Sequence, residues 1–385
     1  MKHKKEWIIL AALCVFLCTW LLSACGAKEE SGADTDPGPV LTGAAVLHEH
    51  EFGGICIDIS IDGFNALGFE FGDSVDIAFS NGYEMTDIPY YNGYYTLVGE
   101  PLLVGYPGSE HIKAAINSGD DLWDVAGLEE GVTADITLNE KGKYLNVQEA
   151  RDLEYEDDRA AYDSDEEFAN FRSVSLGKMK ENTFYRSASP CDNIHNRRDY
   201  VDALMEEAGV HYVVDLADDA EKLSQDVSEP DFDCPYYMNL YENGLVIPLA
   251  LNMNFSSEEF KEKTLKGILA MAENEGPYLV HCTEGKDRTG FFCMLVEALA
   301  GASYQEIVDD YMITYDNYYG ISESSDPEKY DILVQNLLDP MIESIVGDDS
   351  VDITTADLSS YAEDYLRACG MQEEQMEAFR EKVFR

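Results

Sequence analysis

Apolar and polar residues alternate along the region from residue 41 to residue 160. Isoleucine occupies every second position from 55 to 61, and the same period appears at 75–79 and 132–138, as is typical of strands with one buried face. Asn-Gly and Pro-Gly pairs between these runs indicate turns. Residues 41–160 are therefore predicted to form a small antiparallel β domain, for which a barrel is one arrangement. A tyrosine cluster at 90–95 is interpreted as packing of a strand edge rather than as a ligand site.

The pattern changes in residues 167–385, where short apolar runs alternate with longer helical ones. Runs at 213–216, 245–249 and 278–280 have the length of buried strands. Helical spacing begins after a capping pattern between Ser256 and Glu259, and further helices are predicted within 304–319 and 355–384. This alternation predicts an α/β fold with a central sheet flanked by helices. The acidic stretch 154–167 is predicted to link the two domains.

The N-terminus has the pattern of an export signal. Lysines at 2, 4 and 5 precede an apolar run at 7–22, which is somewhat shorter than the roughly 20 residues of a spanning helix. Leu-Ser-Ala-Cys at 22–25 resembles the lipobox of bacterial lipoproteins, which implies a signal peptide over 1–24 and a lipid on Cys25. Residues 25–40 are expected to be a flexible tether. The protein is therefore expected to be extracytoplasmic and lipid-anchored to the bacterial cell membrane, with an uncleaved anchor as the alternative.

Composition excludes one class of partner. The formal net charge is −50, from 26 basic and 76 acidic residues, whereas nucleic-acid binding needs a basic surface. The chain is therefore not expected to bind nucleic acid. The nine cysteines show no spacing typical of a disulfide framework, and no cysteine and histidine pairing indicates zinc.

One stretch, His-Cys-Thr-Glu-Gly-Lys-Asp-Arg-Thr-Gly at 281–290, carries the candidate chemistry. It lies between a predicted strand and a predicted helix, where backbone N–H groups and the helix dipole favour an anion. The same donors would stabilise a thiolate at Cys282, and Arg288 would bind two phosphate oxygens. The pattern predicts attack of the thiolate on phosphorus, followed by hydrolysis of the thiophosphoryl enzyme. The Thr289 hydroxyl is expected to stabilise the departing thiolate.

This stretch resembles the active-site signature of the cysteine-based protein tyrosine phosphatase superfamily, His-Cys-x5-Arg-Ser/Thr-Gly. Its second half is similar to that of bacterial tyrosine/serine phosphatases that also accept phosphoinositides. Further segments resemble that branch at 170–172, 185–188, 211–216 and 307–311. The resemblance implies a tyrosine phosphatase-like catalytic domain over 167–385 that needs no metal and no cofactor. It assigns catalysis to Cys282 and Arg288, and phosphate binding to Thr283, Glu284, Gly285, Lys286, Thr289 and Gly290.

The usual general acid is missing from its usual place. Departure of a phenolate or alkoxide calls for a proton donor near the bridging oxygen, and many superfamily members use an aspartate upstream of the cysteine. The corresponding interval 250–255 contains no carboxylate. In the resembling branch the aspartate before the arginine takes this role, which implies Asp287; a carboxylate that orients the loop or pairs with a basic residue is the alternative. Asp231 and Asp233 are weaker candidates.

Three arginines outside the loop are candidates for substrate contact. The resemblance points to Arg186, either as a structural residue or as part of the pocket lining. Arg197 and Arg198 lie in a predicted loop. The alternative hypothesis is that these two arginines form ion pairs at the surface.

Three functions follow from these observations. The first is a protein tyrosine phosphatase, with serine/threonine phosphatase activity in addition, which the negative charge favours. The second is a phosphatase of inositol phosphates or phosphoinositides, which Lys286 favours because added positive charge suits polyphosphorylated rings. The third is a non-catalytic lipoprotein that only binds a phosphorylated ligand, and the intact pair of Cys282 and Arg288 argues against it.

Overall fold

The computed structural model describes residues 38–50 and 52–385. The predicted signal peptide, the lipidation site Cys25 and most of the predicted tether lie outside the described residues. Residues 39–385 form one compact unit. Within the described part of the chain, no helix has both the length and the apolar character needed to cross a membrane.

The N-terminal region folds into a closed barrel of seven strands. In chain order the strands are β1 (Val40–His48), β2 (Ile55–Ile57), β3 (Ser74–Phe79), β4 (Glu84–Tyr91), β5 (Pro101–Val104), β6 (Ile112–Ile116) and β7 (Thr133–Glu140). Their order around the barrel is β1-β2-β6-β5-β4-β3-β7, and β7 pairs with β1 to close it. The prediction of a purely antiparallel domain needs correction, since β4 and β5 run parallel with Tyr90 opposite Leu103.

Alternation along the strands determines the core of the barrel. Ile55, Ile57, Val75 and Ile77 are all buried in it, because every second side chain of a strand points to the same face. The isoleucine alternation continues beyond the end of β2, where Ser60 accepts a hydrogen bond from the backbone of Gly63 and starts a helix. The helices of this region are α1 (Ile61–Ala66), α2 (Leu122–Val125) and α3 (Leu145–Arg151).

The C-terminal region contains a five-stranded sheet in the order β11-β10-β12-β9-β8. Its strands are β8 (Arg172–Ser173), β9 (Phe184–Ser187), β10 (Tyr212–Asp215), β11 (Val246–Pro248) and β12 (Tyr278–His281). All pairs are parallel except β8 with β9. In this register His281 lies beside both Asp215 and Ser187. Three strands therefore end together, at the edge where parallel sheets place their ligand sites.

Helices cover both faces of this sheet. They are α4 (Asp165–Phe168), α5 (Arg198–Ala208), α6 (Ala220–Asp226), α7 (Pro235–Glu242), α8 (Glu258–Glu273), α9 (Asp287–Leu299), α10 (Tyr304–Tyr319), α11 (Pro327–Leu333), α12 (Asp339–Val346), α13 (Leu358–Ala368) and α14 (Glu373–Val383). Val213 and Leu279 pack against α5 and α7, whereas Val214 and Val280 pack against α8 and α9 on the other side. The predicted α/β fold with a central sheet flanked by helices is confirmed.

Two predicted helix boundaries change. The helix cap before α8 is Ser257, which accepts a hydrogen bond from the backbone of Phe260 at 3.2 Å, one residue later than predicted. The segment 355–384 forms two helices, because the chain turns at Gly370 with φ +104°, a conformation that glycine adopts at little cost. The predicted helix at 304–319 is confirmed as α10.

Candidate active site

The loop between β12 and α9 contains Cys282, and both flanking elements are fixed in the core. All four residues of β12 are buried, and so is every residue of α9 from Thr289 onward. The first turn of α9 therefore has a fixed direction, with its free N–H groups and the positive end of its dipole at the loop. Cys282 itself is 3% exposed. This is the arrangement expected of an anion site built around a sulfur atom.

Two side chains of the loop and helix are placed for phosphate chemistry. The Arg288 guanidinium donates to the Thr283 hydroxyl at 3.1 Å and has no carboxylate within ion-pair distance among the described residues. It therefore keeps most of its donors for a ligand. The Thr289 hydroxyl is fully buried and has no hydrogen-bond partner in the described part of the chain, so it is free to donate to a group inside the loop.

Glycine is required at two positions of the loop. Gly285 has φ +70°, and a Cβ atom there would lie 2.2 Å from the carbonyl oxygen of Ser187. A Cβ atom on Gly290 would lie 2.6 Å from the ring of Tyr311. The loop therefore packs directly against the end of β9 and against α10, and these contacts hold its curvature.

A buried network of charges supports the loop from behind. The Gly285 carbonyl accepts hydrogen bonds from Arg186 at 2.9 Å and from Asn170 at 3.3 Å. Asp310 then binds both Arg186, at 2.6 Å, and Arg172, at 3.0 Å. Burial alone would raise the pKa of Asp310, but the two guanidinium groups outweigh it and hold that pKa well below its usual range. The carboxylate is therefore charged, and it ties α10 to the loop.

The three arginines predicted to contact substrate are almost completely buried. Arg186 is 1% exposed, and Arg197 and Arg198 are each 2% exposed. Arg197 donates to the carbonyl of Phe168 at 2.7 Å, and Arg198 donates to the carbonyl of Asp231 at 2.9 Å. Arg197 also lies 3.9 Å from the carboxylate of Asp157, and Arg198 lies 3.6 Å from those of Asp199 and Glu229. This placement fits the ion pairs expected for Arg197 and Arg198 and the structural role expected for Arg186, whereas substrate contact stays a prediction.

Glu284 is bonded on the outer side of the loop by residues far away in sequence. It accepts a short hydrogen bond from the Tyr155 hydroxyl, and His195 Nε2 lies 3.8 Å from its carboxylate. Burial would raise the pKa of Glu284, but the nearby His195 imidazole and the charge of Lys286 lower it to about 2. The pKa of His195 is raised in turn, chiefly because Glu284 lies close to it. The Glu284 carboxylate is therefore held by neighbouring side chains, and the part of Glu284 in phosphate binding stays a prediction.

Lys286 is enclosed in a similar way. Its ammonium lies 3.3 Å from Glu284 and 3.9 Å from Asp287, and it also lies within 6 Å of the ring centres of Tyr155, Tyr315 and Tyr319. Burial lowers the pKa of Lys286, but Asp287, the tyrosines and Glu284 raise it well above its usual value. The lysine thus carries a charge that its own neighbours already compensate.

Asp287 begins α9 and faces the same side of the loop as Lys286. Besides Lys286, its partner is the Tyr311 hydroxyl, which donates to it at 3.5 Å. The side chain is 27% exposed, so a substrate can reach it. The loop after β11 offers no carboxylate; instead the backbone of Ala250 donates to the carbonyl of Asp218 at 2.9 Å. Asp231 and Asp233 are exposed.

A cleft of about 590 Å³ opens beside the loop, and the barrel forms its far wall. Glu284, Lys286 and Asp287 line it on the catalytic side. The wall on the barrel side and the connecting segment contribute these residues: Asn92, Gly93, Tyr94, Tyr95, Tyr106, Pro107, Arg151, Asp152, Leu153 and Tyr155. Arg151 lies over the Tyr95 ring at 5.1 Å and forms no ion pair within the described residues. The cleft therefore borders the loop at Glu284, Lys286 and Asp287, and on its far side it has an aromatic surface with one cation, Arg151.

This cleft was not expected from the sequence. The tyrosine cluster at 90–95 divides, since Tyr90 and Tyr91 are buried in the barrel whereas Tyr94 and Tyr95 line the cleft. Tyr155 is the main residue that sequence reasoning missed. It belongs to the acidic stretch interpreted as a linker, and no local pattern connects it with Glu284 or Lys286.

Comparison with known proteins identifies the catalytic region. The model of the tyrosine phosphatase family matches residues 166–385, which is more than half of the chain. The chain belongs to the tyrosine phosphatase family. This phosphatase has no match among curated proteins. Among solved structures it is similar to an uncharacterized conserved protein from Thermotoga maritima, with 22% identity and a TM-score of 0.21 over 26% of this chain. The alignment spans 35% of that protein's own length.

Family membership explains the geometry of the site. The phosphatase is a phosphoric monoester hydrolase of the protein tyrosine phosphatase type, and its substrates are phosphorylated. The sequence prediction of such an enzyme is confirmed, and its bounds at 167–385 stay a prediction. The roles of the individual loop residues stay predictions that the geometry makes specific.

Proposed function

We propose that the phosphatase removes phosphate from phosphotyrosine in proteins, and from phosphoserine and phosphothreonine in addition. The feature that carries this proposal is the tyrosine-lined cleft beside the loop. Tyrosine rings give a peptide large apolar contact areas together with hydroxyl groups for hydrogen bonds. With the phosphoryl group in the Cys282 loop, the rest of a peptide substrate would extend over Tyr94, Tyr95 and Tyr106.

The charge of the cleft supports a peptide over a polyphosphorylated ring. Its lining has two cationic side chains, Arg151 and Lys286, and three acidic ones, Asp152, Glu284 and Asp287. Because Lys286 is already paired with two of these carboxylates, only Arg151 is free to attract a second phosphate. An inositol phosphate or phosphoinositide remains the second candidate because Arg151 and Lys286 do lie on one side of the loop.

A substrate panel tests the two candidates. Rates would be measured with phosphotyrosine, phosphoserine and phosphothreonine peptides, phosphoinositide vesicles and phytate, each with a Cys282→Ser control that should be inactive. We expect the highest kcat/KM on phosphotyrosine peptides. Arg151→Ala should weaken peptide turnover only modestly, whereas a preference for phytate or phosphoinositides that disappears in Arg151→Ala would favour the second candidate.

We also propose Asp287 as the general acid. Its partners are Lys286 and the Tyr311 hydroxyl, whereas Glu284, of similar exposure, also accepts a hydrogen bond from Tyr155. A positioned acid contributes about 100-fold or more to a rate. Asp287→Asn should therefore depress turnover strongly for alkyl phosphates, whose leaving groups need a proton, and weakly for activated aryl phosphates. Equal losses on both substrates would remove the acid role.

The location of the phosphatase is a further proposal, supported by the lipobox-like residues 22–25. We propose that Cys25 carries a lipid and anchors the enzyme outside the cytoplasm. Cells that express the full chain would be labelled with a radioactive fatty acid and separated with detergent. Label in the phosphatase that is absent from Cys25→Ala would support the anchor, and an unlabelled wild-type chain would refute it.

A further inference from the structure

Five chemically reactive side chains are buried together at the edge of the sheet, next to the catalytic loop. They are Cys191, Asp215, Asp218, Asp226 and His281, and none is more than 7% exposed. Asp215 and His281 end the adjacent strands β10 and β12, whereas Cys191 lies on the segment that follows β9. Residues far apart in sequence thus converge, which is why no spacing along the chain indicated them.

Their donor atoms face one another. The ligand atoms of Cys191, Asp215 and His281 all lie within 4.8 Å of each other, and the same holds for Cys191, Asp218 and Asp226. The Cys191 sulfur is 3.4 Å from the Asp218 carboxylate, and His281 Nε2 is 4.0 Å from Asp215 Oδ1. Cys191 therefore stands between a carboxylate–imidazole pair and two further carboxylates.

Several of these buried atoms have no partner within the described residues. They are His281 Nε2, Asp215 Oδ2 and Asp226 Oδ2. A buried polar atom without a hydrogen bond costs about 1–3 kcal/mol, and such atoms are rare in native proteins. Asp215 Oδ1 accepts from the backbone of Ala217 and Asp218, so its other oxygen is the unused one.

The orientation of His281 also suits a ligand. Its Nδ1 lies 3.3 Å from the carbonyl of Cys282, and a proton on Nδ1 would be donated there. Nε2 then keeps its lone pair and, like Asp215 Oδ2, has no hydrogen-bond partner within the described residues. A hydrogen bond from the other ring nitrogen to a carbonyl is the usual way in which proteins orient a metal-binding imidazole.

We propose that Cys191 Sγ, Asp215 Oδ2 and His281 Nε2 bind a divalent transition-metal ion of the Zn²⁺ type. Thiolate, imidazole and carboxylate together form a donor set that zinc prefers over hard cations. With bond lengths of about 2.0–2.3 Å, a shift of under about 1 Å brings the three atoms to a common ion. Asp218, in contact with Cys191, is the nearest candidate for a fourth ligand.

Such an ion would act on the structure of the loop rather than in the hydrolysis. His281 directly precedes Cys282, and Ser189, two residues before Cys191, donates its backbone N–H to the carbonyl of Thr283 at 3.1 Å. A metal bound to both Cys191 and His281 would cross-link the two segments that hold Cys282. It would also compensate carboxylates that otherwise have to be protonated in the interior.

Cobalt binding tests the proposal in the full chain. The measurements use the Cys282→Ser protein, so that the catalytic thiol cannot bind the ion. After treatment with a chelator, Co²⁺ is titrated and the near-ultraviolet absorption of a thiolate–cobalt bond is recorded. We expect one equivalent of Co²⁺ to produce this band, and Zn²⁺ to displace it. Absence of the band in this folded protein would overturn the proposal without any further variant.

Matched variants then locate the site. Adding Cys191→Ser should abolish the thiolate band, and adding Asp215→Asn should weaken Co²⁺ binding by more than about ten-fold. Cys234→Ser is the control, because Cys234 is equally buried at the start of α7 but has no place in the cluster. A band that survives Cys191→Ser, or disappears in Cys234→Ser, would refute the assignment. Circular dichroism confirms that each variant is folded.

Discussion

The buried network behind the catalytic loop leads to a quantitative prediction for Asp310→Asn. This substitution keeps the size of the side chain but removes the charge that binds Arg186 at 2.6 Å and Arg172 at 3.0 Å. Because both guanidinium groups are buried, they would lose the one carboxylate that forms ion pairs with them within the described residues. Breaking a buried ion pair costs about 3–5 kcal/mol, and the amide retains some hydrogen bonding, so the lower end of that range, about 3 kcal/mol, is expected.

Thermal and urea unfolding measure this loss. For a region of this size about 1 kcal/mol corresponds to roughly 2–4 °C, so the Tm should fall by roughly 6–12 °C. Turnover of an aryl phosphate should fall as well, since Arg186 holds the Gly285 carbonyl. Asp309→Asn is the control, because Asp309 is exposed and bonds only to Gln305 at 2.8 Å. A loss below about 1 kcal/mol, the value of a surface pair, would refute the reasoning.

Two further predictions concern the loop itself. Gly285→Ala should abolish turnover, because the new Cβ atom would collide with the Ser187 carbonyl. It should also destabilise the phosphatase by more than about 1–2 kcal/mol, which is what a left-handed backbone costs alanine. Gly209→Ala is the control for the backbone cost alone, because Gly209 has φ +66° and open space around it; equal losses of stability in the two variants would contradict the steric argument. Glu284→Gln should change how stability depends on pH. The folded-state pKa of Glu284 is about 2, below its ordinary 4.5, so its contribution is present above about pH 4.5 and is lost as the pH falls toward 2. Urea unfolding across this range should therefore show a difference between wild type and Glu284→Gln that shrinks in acid; a constant difference would contradict the pKa assignment.

The sequence predicted those features that depend on residues close together along the chain. The strand, loop and helix around Cys282 were predicted because a glycine-rich turn before an apolar helix is encoded in neighbouring residues. The inward residues of the barrel, such as Val75 and Ile77, followed from a period of two. Asn170, Arg172 and Asp310 belong to segments noted for their resemblance to the family, and the structure shows the physical reason, since they support Gly285 together.

Features that depend on contacts between distant segments were missed. The parallel pairing of β4 with β5 follows from closure of the barrel, and nothing within either strand indicates its direction. Arg197 and Arg198 were read as exposed because adjacent arginines on an acidic protein usually are. Their burial depends on carbonyl groups of Phe168 and Asp231 that only the folded chain supplies. The role of Tyr155 was not predicted because its contacts with Glu284 and Lys286 also form only in the folded chain.

The span that matches the family begins at residue 166, after both Arg151 and Tyr155. A chain trimmed to that span would keep Cys282, Arg288 and the charged residues that support the loop. It would lose the barrel side of the cleft and the Tyr155 hydroxyl that donates to Glu284. Such a fragment would expose Tyr315 and Tyr319 of α10 to water on the side where the cleft lies. The peptide site proposed above therefore needs residues that precede the span of the family model.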